Sequence, residues 1–91
     1  MEIERNITLI NKYGLHARAS TRLAQVAKSF ASEVKLARVD DSEYVDGKSI
    51  LGLLTLGAEN GQQLILRVRG DDAAEAISAI MDLVENKFDE E

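Results

Sequence analysis

The chain has 91 residues, a length that suits one domain, and its 45% hydrophobic and 30% charged residues indicate a folded protein rather than a disordered one. It has no cysteine and one histidine, which excludes disulfides, a cysteine nucleophile, and zinc sites built on thiolates or on several imidazoles. The net charge of −5 argues against a nucleic-acid binder, and no apolar run could span a bilayer. Because the opening MEIERN lacks the pattern of a signal peptide, we expect a cytoplasmic protein.

The first third of the chain passes from a strand pattern to a helix pattern. Ile3 to Ile10 alternates apolar and polar residues with a period of two, which is typical of a half-buried strand. Residues 11–14 are polar and end in Gly14, so they predict a loop. A helix is predicted from Ala17 onward. Its apolar stripe consists of Ala19, Leu23, Val26, Ala27 and Phe30.

The middle of the chain predicts two strands and a short helix. Residues 34–37 alternate in the strand pattern, and residues 40–42 have the composition of a turn. Tyr44 and Val45 then predict a short third strand. Residues 50–56 are almost all apolar and are followed by Gly57, a residue typical of helix C-termini, so they predict a short helix.

The last third predicts one strand and one helix. Residues 59–61 form a turn, and residues 64–68 alternate again as a strand. Residues 70–72 begin the last helix, with acidic residues where the helix dipole favours negative charge. Its apolar face consists of Ala73, Ile77, Ile80, Met81, Val84 and Phe88. We expect the acidic residues 89–91 to form a frayed, solvated end.

The order of these elements, βαββαβα, predicts the fold class. Each strand has one apolar face, so we expect an α+β protein with a four-stranded antiparallel sheet covered on one face by three helices. The helices after the first and last strands should share the covered face, because Leu23 and Ile77 need a core to pack into. No linker or internal repeat divides the chain, and residues 1–91 are expected to form a single domain.

The histidine stands at a chemically favourable place. His16 lies where a glycine-containing loop meets the first turn of the first helix, and backbone N–H groups there have no intrahelical acceptor. An anion carried by the imidazole would lie among these donors at the positive end of the helix dipole. Arg18, two residues on, could bind the oxygens of such an anion. The alternative that His16 is an ordinary residue at a helix start stays open on these grounds.

A second candidate feature is Ser49 with the apolar helix that follows it. The Ser49 hydroxyl is well placed to cap that helix. If Leu53 and Leu56 face the core, Ile50, Leu51 and Leu54 cannot all be buried, and exposed aliphatic side chains indicate a surface for a partner. Two alternatives stay open: Ser49 is a plain cap, or a wide groove buries the whole helix.

Two separate motifs resemble one known family. Residues 14–18, Gly-Leu-His-Ala-Arg, and residues 47–53, Gly-Lys-Ser-Ile-Leu-Gly-Leu, together with Leu56-Gly57, are similar to the two signatures of HPr. HPr is the histidine-containing phosphocarrier of the bacterial phosphoenolpyruvate-dependent sugar phosphotransferase system. Motif order, chain length and predicted elements agree over essentially the whole chain. The resemblance implies an open-faced β-sandwich.

The resemblance also implies residue roles and partners. His16 would accept a phosphoryl group on Nδ1 from enzyme I and pass it to EIIA-type proteins, with Arg18 supporting the phosphate. Ser49 would be the regulatory serine modified by HPr kinase/phosphorylase. The surface that contacts partners would consist of Ala17, Ala19, Ser20, Lys48, Ile50, Leu51 and Leu54. One departure is Ala19, which stands where the family usually has proline, and we expect a slightly less rigid first turn.

These features are compatible with three functions to different degrees. The first is a monomeric phosphocarrier without cofactor, metal, nucleic acid or membrane partner, which is a substrate of other proteins rather than an enzyme. The second is a regulatory binding module, nitrogen-linked or kinase-controlled, in which the Ser49 helix docks onto a kinase or a transcriptional regulator. The third, a hydrolase or mutase using a phosphohistidine, is disfavoured because there is no second histidine and little room for a substrate pocket.

Overall fold

A computed structural model describes residues 1–90, and Glu91 of the expected frayed end lies outside the described residues. The predicted βαββαβα order is confirmed. The elements are β1 (Glu2–Thr8), α1 (Ala17–Lys28), β2 (Glu33–Arg38), β3 (Val45–Asp46), α2 (Ile50–Leu56), β4 (Gln63–Arg69) and α3 (Ala73–Glu85), followed by a short 3-10 segment, Lys87–Asp89.

The four strands form one antiparallel sheet in the order β1-β4-β2-β3. Val68 of β4 pairs with Ile3 on one side and with Val34 on the other, so β4 and β2 lie inside the sheet and β1 and β3 at its edges. Successive side chains of a strand point to opposite faces. The alternating apolar residues of β4 are therefore all fully buried on one face, namely Leu64, Leu66 and Val68.

All three helices pack on that same face of the sheet. Leu23 of α1, Leu53 of α2 and Ile80 of α3 are fully buried in one hydrophobic cluster with the inward side chains of the strands. The α+β class and the one-sided helical cover predicted from the alternation are therefore confirmed. Within residues 1–90, no helix has both the length and the apolar character needed to cross a bilayer.

Several predicted boundaries were wrong by one or two residues. The first strand ends at Thr8 rather than Ile10, although Leu9 still donates its N–H to the Gln62 carbonyl at 3.0 Å. The first helix ends at Lys28, and Phe30 packs against the core from the following turn. The third strand begins at Val45, not at Tyr44. Side chains can reach the core from just outside an element, so apolar periodicity does not mark its last residue.

The expected frayed end is corrected at residues 89 and 90. After α3 the backbone turns left-handed at three successive residues, with φ of 55° at Lys87, 56° at Phe88 and 63° at Asp89. This turn is unfavourable for residues that carry a Cβ atom, and it needs compensating contacts. Phe88, predicted on the helix face, lies beyond the helix and is fully buried. Asp89 pairs with Arg22 of α1 at 2.9 Å.

Asp72 fastens the start of α3 to the turn between α1 and β2. Its carboxylate accepts backbone N–H groups from Ala31 and Ser32, each at 2.9 Å, and also accepts the Ser32 hydroxyl. The hydrogen bond from the Ser32 hydroxyl has the largest effect and the one from the Ala31 N–H the next largest, and both lower the pKa of Asp72 below its ordinary value. The charged carboxylate is therefore the form that the fold stabilises.

The loop before α1 is held against the chain that follows α2. Gly14 has a left-handed backbone with φ of 59°, and Leu15 donates its N–H to the Ala58 carbonyl at 2.9 Å. A Cβ atom on Gly14 would lie 2.7 Å from the Cα of Glu59, closer than such atoms can approach. Both the backbone angle and the contact require glycine here. Gly57, also left-handed, ends α2 as predicted.

Asp72→Asn should lower the melting temperature at neutral pH. Because the folded pKa is depressed, the carboxylate contributes stability above the unfolded pKa of about 3.9, and this contribution is lost as the pH falls through the folded pKa. The difference in melting temperature between wild type and variant should therefore shrink in acid. Asp71→Asn, at the exposed neighbouring position, is the control and should leave the curve unchanged. A constant difference from neutral to acid pH would contradict the assignment.

In chemical denaturation, Gly14→Ala should destabilise the fold by more than the roughly 1–3 kcal/mol that a strained backbone position costs, because its Cβ would also collide with Glu59. Gly61→Ala is the matched control. Gly61 also has a left-handed φ of 87°, but nothing lies within 4 Å of the place where its Cβ would stand. The control therefore meets the backbone cost without the steric one. Equal losses for the two variants would show that the contact with Glu59 does not matter.

Candidate functional site

His16 occupies the position just before the first turn of α1. Its backbone is extended, with φ of −79° and ψ of −176°, and its carbonyl accepts the Ser20 N–H at 2.9 Å as the first hydrogen bond of the helix. The N–H groups of residues 17–19 come before that bond and have no intrahelical acceptor. The His16 side chain does not cap the helix, and the first turn contains no acidic residue. These donors therefore remain available to an anion.

The imidazole is accessible from solvent. The His16 side chain is 30% exposed. Its ring contacts the ring of Tyr13 edge to face, with the ring centres 5.6 Å apart. A surface cavity of about 430 Å³ opens beside the ring, lined by Lys12, Tyr13, His16, Arg18 and Glu90. Within residues 1–90, the ring is thus neither enclosed in the core nor covered by another helix or strand, and its exposed part is open to another protein.

Arg18 is exposed at the same helix start. It lines the cavity next to His16, and within residues 1–90 its guanidinium has no hydrogen bond or ion pair. A guanidinium presents several donors in a planar fork that matches the oxygens of a phosphoryl group. The structure therefore brings His16 and Arg18 together, as the sequence predicted, and leaves the arginine available.

Sequence reasoning missed Glu90. Its carboxylate Oε2 lies 2.5 Å from Nε2 of His16, and its other oxygen accepts the side-chain amide of Asn11 at 3.0 Å. The Glu90 side chain is only 9% exposed. The contacts join residues 74 and 79 positions apart, so no local pattern could have found them. An acidic run near the end of a sequence is usually solvated, which is why this carboxylate was assigned to a frayed end.

Ser49 caps α2 as predicted. Its hydroxyl oxygen accepts the N–H of Gly52 at 3.0 Å, and its backbone is extended. A capping hydroxyl of this kind contributes about 1 kcal/mol to stability. The Ser49 side chain stays partly exposed, so capping does not hide it from solvent.

α2 exposes part of its apolar surface. Leu53 and Leu56 are buried, whereas Ile50, Leu51 and Leu54 are 38%, 71% and 39% exposed. The alternative in which a groove buries the whole helix is therefore excluded. The three exposed side chains form what we call the α2 patch. The end of α2 leads directly into Ala58, whose carbonyl accepts the N–H of Leu15, so the end of this helix adjoins the loop before His16.

The remaining residues of the expected partner surface differ in accessibility. Ala17 is exposed, and Lys48 is partly buried with its ammonium donating to the Phe30 carbonyl at 2.8 Å. Ala19 and Ser20 are fully buried, and the Ser20 hydroxyl donates to the Leu15 carbonyl at 3.2 Å. The expectation that Ala19 and Ser20 contact a partner is corrected, because both face the core side of α1.

Over the described range 1–90, no three His, Cys, Asp or Glu side chains are grouped so that they could hold a metal ion. The side chains that line the cavity are those of Lys12, Tyr13, His16, Arg18 and Glu90, next to the backbone donors of α1.

Known proteins resemble this chain over almost its whole length. The family model described as the PTS HPr component phosphorylation site matches residues 3–86. A phosphocarrier protein HPr from Cupriavidus necator is 44% identical over 88 residues, which are 97% of this chain and 97% of that protein.

Solved structures have the same architecture. HPr-C-His from Thermoanaerobacter tengcongensis is 42% identical and superposes with a TM-score of 0.91, covering 98% of both chains. An HPr dimer from the same organism is 41% identical with a TM-score of 0.74, covering 90% of this chain and 92% of that one. From the match in sequence and fold, the chain belongs to the HPr family of phosphocarrier proteins of the phosphotransferase system.

Proposed function

We propose that His16 accepts a phosphoryl group on Nδ1 from enzyme I and passes it to EIIA-type proteins. The observation that carries this proposal is an accessible imidazole at the open start of α1, with the guanidinium of Arg18 beside it, which has no partner among residues 1–90. Family membership supports the carrier role, since members are phosphocarrier proteins rather than catalytic enzymes. The chain is thus a substrate of its partners and needs no cofactor of its own.

The transfer step makes and breaks one bond to phosphorus. The lone pair on Nδ1 of His16 forms an N–P bond while the bond from phosphorus to the donor breaks, and that electron pair leaves with the donor group. Phosphoryl oxygens then lie near the N–H groups at the start of α1 and the guanidinium of Arg18. Each hydrogen bond to such a charged group is worth about 1.5–3 kcal/mol. The same contacts are released when the acceptor protein takes the group.

Partners need a surface that they can share. The α2 patch exposes three large aliphatic side chains on a helix whose end adjoins the His16 loop. Exposed apolar groups beside a reacting residue suit a docking surface. Their burial favours association, and because it does not require a particular pattern of hydrogen bonds, different partners can use the same surface. We propose that donor and acceptor proteins bind here in turn, and that the carrier acts as a cytoplasmic monomer so that this face stays open.

A second role, regulation through Ser49, is favoured by one observation. Ser49 is partly exposed at the start of α2, next to Ile50 and Leu51 of the patch. A phosphate there would add about −1.5 to −2 charges beside an apolar docking surface. We propose that HPr kinase/phosphorylase modifies this serine. The modification would weaken the binding of enzyme I and EIIA-type proteins and strengthen the binding of a transcriptional regulator. It leaves the fold intact, because negative charge suits a helix N-terminus.

Incubation with enzyme I and phosphoenolpyruvate should add one acid-labile phosphate, visible as a single mass increment. His16→Ala should take none. Arg18→Ala should take it roughly tenfold more slowly, because it loses hydrogen bonds to the charged oxygens. Lys28→Ala is the control, since Lys28 is an exposed cation at the far end of the same helix. A wild-type protein that stays unmodified beside an active donor would refute the carrier role.

Ser49→Asp should reduce binding to enzyme I, measured by calorimetry, because the new charge must lose water when the α2 patch is covered. Ser78→Asp, which places the same charge at an exposed position on α3, is the matched control and should bind normally. Ser49→Ala should bind normally but lose about 1 kcal/mol of stability with its cap. Equal binding by the two aspartate variants would argue against regulation at Ser49.

A further inference from the structure

We propose that Glu90 is a positioning residue for His16: its carboxylate holds the imidazole proton on Nε2 and leaves the lone pair on Nδ1. This inference rests on the proposed function, in which Nδ1 is the atom that receives the phosphoryl group. Glu90 itself would form no bond to phosphorus. Its effect would be to select one of two forms of the ring and to hold that form in one orientation.

The contact between the two side chains defines the tautomer. An ionised carboxylate can only accept hydrogen bonds, so a nitrogen 2.5 Å from Oε2 of Glu90 must carry the hydrogen. A neutral imidazole has a single N–H, and with that hydrogen on Nε2 the lone pair stands on Nδ1. The Glu90 side chain is 9% exposed, so little water competes for the bond. The carboxylate therefore biases the ring toward the form that can attack at Nδ1.

A buried asparagine holds the carboxylate in place. The Asn11 side-chain amide donates to Oε1 of Glu90 at 3.0 Å and to the Gly14 carbonyl at 2.8 Å. Both neighbours are acceptors, so the amide nitrogen must face them. Its oxygen is left buried without a hydrogen-bond partner among residues 1–90. An unsatisfied buried acceptor is costly. It remains here because the amide nitrogen has to donate to the Glu90 carboxylate and to the Gly14 carbonyl of the loop.

The two residues before Glu90 are also held in place by contacts with the rest of the fold. The left-handed turn at residues 87–89 buries Phe88, and Asp89 pairs with Arg22 of α1 at 2.9 Å. Glu90 follows this turn directly and is delivered to the start of the same helix. Its position thus depends on three separate contacts, those of Phe88, Asp89 and Asn11, rather than on the contact with His16 alone.

The same carboxylate suits the phosphorylated state. When Nδ1 uses its lone pair to form the N–P bond, the hydrogen stays on Nε2 and the ring takes up positive charge, which Glu90 offsets. When the phosphoryl group leaves for an acceptor, the N–P electron pair returns to Nδ1 and the ring is neutral again. No proton needs to enter or leave. Lys12 and Arg18 line the same cavity and counter repulsion between Glu90 and the phosphoryl oxygens.

The test compares Glu90→Gln and Glu90→Ala with Glu85→Gln, a control that removes one exposed negative charge from α3. Glutamine retains the shape of the side chain but can donate or accept, so it no longer selects a tautomer. Nitrogen-15 NMR of the imidazole at mildly alkaline pH should show a slowly exchanging, strongly deshielded Nε2–H in wild type and in Glu85→Gln. Both Glu90 variants should lose that signal while thermal melting shows that Glu90→Gln is folded.

Phosphoryl uptake from phosphorylated enzyme I is the second measurement. Both Glu90 variants should take the group roughly tenfold more slowly than wild type, the effect of losing one charge-assisted hydrogen bond, and Glu85→Gln should match wild type. An unchanged or faster rate in Glu90→Gln, or a hydrogen on Nδ1 in wild type, would overturn the inference alone. A wild-type protein that accepts no phosphoryl group would instead overturn the function on which it rests.

Discussion

The open start of α1 is the constraint around which the site is built. Any α helix leaves its first N–H groups without intrahelical acceptors, and here neither the His16 side chain nor an acidic residue of the first turn occupies them. A loop that ends in a left-handed glycine brings the chain into this helix start, and Leu15 fastens that loop to the carbonyl of Ala58 after α2. The imidazole of His16 is thereby presented to solvent, next to backbone donors that do not have to rearrange when negative charge arrives.

The sheet and its helices supply the rigidity that this arrangement needs. α1 is held by the burial of Leu23 and Ala27 against strands whose alternating residues form one core. The same packing leaves α2 half covered, with Leu53 and Leu56 inward and the α2 patch outward. In our proposal, this small fold places a reacting side chain and an apolar docking surface on neighbouring segments. This suits a protein whose group must be reached by several partners in turn.

The site also contains a balance of charges. Under the proposed function, Arg18 and Lys12 would favour a phosphoryl group near His16, whereas the carboxylate of Glu90, which contacts Nε2 of the ring, would repel it. In our proposal these effects act at different atoms: the cations and backbone donors meet the phosphoryl oxygens, and the carboxylate keeps the hydrogen on Nε2. The residues that hold Glu90, among them the buried Asn11, would then form part of the site although they contact no phosphoryl oxygen.

The amino-acid sequence by itself determined the element order, the covered face of the sheet, the helix-start position of His16 near Arg18, and the cap at Ser49, because all of these follow from local periodicity and local capping chemistry. Only the tertiary structure decided what depends on distant residues. It showed that Ala19 and Ser20 face inward, that Phe88 reaches the core from a left-handed turn, and that Glu90 meets His16. Periodicity reports which face of an element is apolar. It carries no information on which residue from elsewhere in the chain packs against a given side chain, and contacts across 74 positions are set by the packing of the whole fold.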